Sequence, residues 1–145
     1  MKLEISSKSA PRKALLEVAV PLFVKLLGLQ KSTFKLKIIT VANLAKSEKM
    51  SGGTFRAGPK EIVIGLDSGL KLHDLTHALA HEMVHAKQHA KGQLVQRVKR
   101  SGKTEWKWLG KVCTKEYYKT PWELEAYAKE RNLANELFAL IDKIK

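Results

Sequence analysis

His81-Glu82-Met83-Val84-His85 has the spacing H-E-x-x-H and lies within Leu70 to Lys91, a run that contains neither Gly nor Pro. On a helix, residues four apart stand one above the other on the same face. His81 and His85 can therefore offer two imidazole nitrogens to one zinc ion, with Glu82 beside them as a base for water. Five residues of this pattern can arise by chance. The rest of the chain has to supply a third protein ligand, a cleft and an open coordination position.

The other histidines do not complete such a site. All five occur at four-residue intervals, His73, His77, His81, His85 and His89. A rise of about 1.5 Å per residue leaves His73 and His89 each about 12 Å or more along the axis from the far member of the pair. They read as surface or supporting residues, and His77, one turn before His81, is the one expected nearest the site. A carboxylate on the last helix is the better third ligand, and Glu123 and Glu125 compete for it. At about 100° per residue, Trp122, Ala126, Leu133, Leu137, Leu140, Ile141 and Ile144 share one face. Glu125 falls on the opposite side with Lys129, Asn132, Glu136 and Lys143. Glu123 falls within the apolar face, as does Glu130 two turns later. A buried carboxylate is costly unless it is paired or binds a metal. A capping box with Thr120 explains why Glu123 stands at a helix start but not why it points inward. Glu123 is the expected ligand, and Glu130 is expected to orient a ligand histidine.

The elements that must hold these groups follow from local pattern. Met1 to Ser7 suggests a short edge strand. Ser9-Ala10-Pro11 starts a helix expected to run to about Leu27, kinked near Pro21 and stopped by Gly28. Phe34 to Val41 is a strand, and Ala42 to Met50 is ambiguous. Thr54 to Ala57 and Lys60 to Asp67 form a hairpin. The motif helix then extends to about Lys91. Leu94-Val95 either prolongs it or begins a loop, and Trp106 to Val112 alternates like a strand or hairpin arm. Thr120-Pro121 opens a last helix that reaches about Ile144. The order of elements predicts a single α+β domain over residues 1–145, with a small, mostly antiparallel sheet.

With 27 Lys and Arg against 14 Asp and Glu, the chain carries a formal charge of +13. That balance points to an acidic partner such as nucleic acid, or to a lysine-rich solvated surface. The lone Cys113 excludes an intrachain disulfide and a Cys-rich zinc module, in keeping with a reducing, cytoplasmic setting. Ala14 to Leu29 is the most apolar stretch, but Glu17, Pro21 and Lys25 interrupt it. It reads as a core helix, and neither a signal peptide nor a membrane span is expected.

Taken together, Gly52-Gly53-Thr54-Phe55, Lys60 to Leu66, His81 to Gln88, Trp108 to Lys111 and Tyr117 to Tyr127 resemble the small gluzincin-type zinc metallopeptidases. The likeness covers roughly Ser51 to Glu130 and is nearest the compact SprT-like group often encoded by phages and bacteria. It implies a zincin-like fold, one Zn2+ held by His81, His85 and Glu123, Glu82 as general base, and a protein or peptide substrate. Tyr127 stands where many gluzincins carry an acidic or amide residue, and Lys87 stands where an apolar one is usual. Tyr117, Tyr118, Tyr127 and His77 are candidate donors to the oxyanion. The competing expectation is a basic nucleic-acid-associated module, in which Trp106 and Trp108 among lysines and arginines would stack bases. A SprT-like protease acting on DNA-bound proteins would combine the two.

Overall fold

The computed structural model describes residues 1–44, 51–114 and 120–144. Its elements are β1 (Lys2–Ser6), α1 (Ala10–Leu26), β2 (Lys35–Val41), β3 (Gly52–Gly58), β4 (Glu61–Asp67), α2 (Leu72–Ala90), β5 (Leu94–Val98), β6 (Thr104–Trp108), β7 (Lys111–Cys113) and α3 (Pro121–Ile144). The fold is mixed α and β, and the described strands form two small sheets. Part of the stretch that is ambiguous in sequence, residues 45–50, lies outside the described residues.

The larger sheet has the order β1-β2-β4-β3. Here the expectation of a mostly antiparallel sheet fails. The β1–β2 and β2–β4 pairs are parallel, and only β3 runs antiparallel to β4. Parallel neighbours need a long crossover, and α1 supplies it between β1 and β2. Ser9 starts that helix, its hydroxyl accepting from the Arg12 amide, and Pro21 is accommodated inside it. β4 lies between β2 and β3, and its Ile62, Ile64 and Leu66 are fully buried. On β2, buried Leu36 and Ile38 alternate with Lys35 and Lys37, the pattern of a strand with one face in the core.

Leu16, Val20 and Phe23 of α1 and Leu75, Leu79 and Met83 of α2 join these strand residues in one core. Burying a Leu, Ile or Phe side chain contributes about 1.5–3 kcal/mol, so this layer is what fixes α2 against the sheet. α3 packs along α2 and touches α1. Its Trp122, Ala126, Leu133 and Leu137 are buried. Ile144, expected on the same face, is 69% exposed because the helix has run past the core.

Leu94-Val95 neither prolongs α2 nor forms a loop. It begins β5, the first strand of an antiparallel sheet β5-β6-β7. The β6–β7 turn places Leu109 at φ 51° and Gly110 at φ 84°. Both residues are left-handed, as a tight hairpin turn requires, and Leu109 is an unusual occupant. Among the described residues, no helix is long and apolar enough to cross a membrane.

Candidate metal centre

The helical spacing of His81 and His85 brings their ring centroids to 5.0 Å. α3 lies alongside and delivers Glu123 between them. Glu123 Oε1 is 3.2 Å from His81 Nε2 and also contacts His85 Nε2. Glu123 is only 1% exposed. One ligand atom from each residue lies within 4.8 Å of the others, and this buried group can hold a metal ion.

Each imidazole is oriented through its second nitrogen. His81 Nδ1 lies 3.0 Å from Glu130 Oε1, and the other oxygen of Glu130 lies 3.3 Å from His77 Nδ1. His85 Nδ1 is 2.8 Å from Gln88 Oε1. The Gln88 amide in turn donates to the Trp122 carbonyl at 3.0 Å and to Glu125 Oε1 at 2.9 Å. Lys87 reaches the same Glu125 oxygen at 2.7 Å. Glu125 is therefore not simply solvated, contrary to its position on the helical wheel. It ties α3 to α2 through two side chains next to a ligand histidine. Lys87 is buried with its ammonium turned to Glu125. Gln88 has no sequence signal beyond its place three residues after His85, and the sequence reading missed it.

Glu82 is buried and faces β3. The Thr54 hydroxyl lies 2.9 Å from Glu82 Oε1 and 3.1 Å from the Glu82 carbonyl. Beside Glu82 and His85 opens a cleft of 380 Å³. Gly52, Gly53 and Thr54 form one wall, and Leu94, Trp106, Cys113 and Trp122 form the other. Trp106 and Trp108 pack against Trp122, with centroids 5.7 and 6.3 Å apart. Tyr127 is 59% exposed, its ring 4.6 Å from that of His81. Tyr117 and Tyr118 lie outside the described residues. His73 is exposed and stacks on Phe138. His89, expected to be a surface or supporting residue, is buried in the cleft wall.

The charges are arranged to favour a cation. Burial opposes protonation of His81 and His85. Hydrogen bonding to Glu123 and the nearby carboxylates outweigh it, so both pKa values are raised. A metal ion bound by the same nitrogens would displace those protons, which couples its binding to proton release. Burial raises the Glu82 pKa against the opposing pull of His85, His81 and Thr54. Burial, with the charges of His85 and Arg56, pushes His89 down to about 4, so it is neutral at physiological pH.

No family model, curated protein or solved structure matches the chain.

Proposed function

We propose that the protein is a zinc-dependent metallopeptidase of the gluzincin type, with the compact domain of the SprT-like group. The observation that carries this reading is the buried Glu123 carboxylate, brought by a second helix between the two histidines of H-E-x-x-H. Two imidazoles and one carboxylate are a donor set suited to zinc, and three protein ligands leave a fourth position open.

Zinc in this setting lowers the pKa of water and polarises a carbonyl oxygen. The chain supplies the rest. Glu82 takes the proton released as water adds to the scissile carbonyl and returns it to the leaving amine nitrogen. Tyr127 is the described oxyanion candidate whose ring packs beside a ligand histidine, whereas His77 is turned towards Glu130. Partial burial and the Glu123, Glu130 and Glu82 carboxylates raise the Tyr127 pKa, so its hydroxyl stays a donor. β3 is the outer strand of its sheet, and an extended peptide would add to it by strand pairing.

Metal analysis of the purified protein, followed by Glu82→Gln, tests the reading. One equivalent of zinc, with peptide hydrolysis lost in the variant, is the expected result. No zinc, or undiminished hydrolysis in Glu82→Gln, rejects it.

The nucleic-acid reading keeps its cations, since Arg97, Lys99, Arg100 and Lys103 are exposed on the β5–β6 hairpin. Its aromatic partners are otherwise engaged, because Trp106 and Trp108 are half-buried against Trp122. Any binding would then rest on phosphate contacts and fall steeply with salt.

A further inference from the structure

We infer that Thr54 is a positioning residue for Glu82, held at the right depth by the missing side chain of Gly52. The inference rests on the peptidase reading for its catalytic meaning and on β3 for its geometry. Residues two apart on a strand face the same side, so Gly52 and Thr54 both point at α2. A Cβ on Gly52 would lie 2.9 Å from the Gly65 carbonyl oxygen, 2.9 Å from Leu66 Cδ2 and 3.3 Å from Glu82 Cγ. A side chain there would press first on β4, at the Gly65 carbonyl and Leu66, and then on the Glu82 stem, so Gly52 lets β3 sit close to both β4 and α2. That closeness puts the Thr54 hydroxyl within hydrogen-bond distance of Glu82 Oε1.

A threonine hydroxyl has one hydrogen and two acceptor sites. Here it has two neighbours on the same residue, the carboxylate oxygen at 2.9 Å and the backbone carbonyl at 3.1 Å. It can donate to the carboxylate. When Glu82 carries the proton on Oε2, Oε1 is still an acceptor, and the hydroxyl keeps donating to it. The bond survives the round trip of the proton, and Oε1 stays anchored while Oε2 exchanges it. A glutamate without this anchor samples other rotamers of a long side chain and has to be re-ordered in every turnover.

Thr54→Val removes the hydroxyl and keeps the branched shape that suits a strand, while Thr54→Ser keeps the hydroxyl. In the zinc-loaded protein, Thr54→Val is expected to lower kcat roughly 10- to 100-fold, a share of what a positioned base supplies. KM and zinc content should hold, and Thr54→Ser should restore kcat to within about threefold of the parent. Crystal structures of both zinc-loaded variants give a readout that does not depend on hydrolysis. Glu82 should occupy more than one rotamer in Thr54→Val and a single one in Thr54→Ser, with His81, His85 and Glu123 unmoved. A single, parental Glu82 rotamer in Thr54→Val overturns the inference, as does parental kcat. If the parent itself cleaves no peptide, the peptidase reading fails, and the rotamers still decide whether Thr54 positions Glu82.

Discussion

The two histidines of the candidate metal centre are oriented by different chemistry. His85 is held by a fully buried neutral amide, Gln88, which is itself pinned by the Trp122 carbonyl and by Glu125, the carboxylate that Lys87 also reaches. His81 is equally enclosed, its side chain 12% exposed against 11% for His85, but its support, Glu130, is shared with His77 and partly open to solvent. A carboxylate next to an imidazole raises its basicity, and solvent moderates the cost of that charge. In the interior a lone carboxylate would be expensive, so the charge sits one residue further out, on Glu125, with Lys87 to balance it. Burial thus decides which kind of group supports each ligand.

Glu123 serves both sides, and Glu123→Gln should break the site altogether. Metal retention, measured after dialysis, should fall by more than the roughly 10- to 100-fold expected when a supporting group is lost. Gln88→Leu attacks the interior side alone. It should weaken zinc binding by an amount approaching 100-fold in chelator competition. It should also cost about 1–3 kcal/mol in urea unfolding, because Glu125 and the Trp122 carbonyl lose a donor.

The interior can also be probed by pH through His89. It is neutral in the fold and takes up a proton when unfolded. Its contribution to stability is therefore complete above its ordinary value of 6.5 and is lost as pH falls towards about 4. Between pH 7 and pH 5 that amounts to about 2 kcal/mol. His89→Gln should flatten the acid side of the stability profile by that amount relative to the parent. The partly exposed support should matter least, and Glu130→Gln is expected to weaken zinc binding about 10-fold with little change in stability. A larger loss from Glu130→Gln than from Gln88→Leu would reverse the ranking of the two sides.

Much of this was legible in the chain. The H-E-x-x-H spacing and the inward phase of Glu123 and Glu130 on the last helix are properties of a 3.6-residue period, and the structure places those groups together. The same wheel misjudged Glu125, because a helical projection does not show that α2 lies close enough for Lys87 and Gln88 to reach it. It also misjudged Ile144, because periodicity does not say where the partner helix ends. The parallel pairing of β1, β2 and β4 is a long-range choice that alternation within each strand does not encode. Thr54 could be read as a strand residue, but its bond to Glu82 depends on the approach that Gly52 permits.

The stacking of Trp106 and Trp108 on Trp122 has an optical consequence. The chain contains three tryptophans, and all of them lie in this one cluster. Trp122 immediately precedes the third ligand, and Trp106 lines the cleft. The tryptophan fluorescence of the whole protein therefore originates beside the candidate metal centre. A change in emission on adding zinc or a peptide reports on that locality without any label, and an emission unchanged by either would place their binding elsewhere.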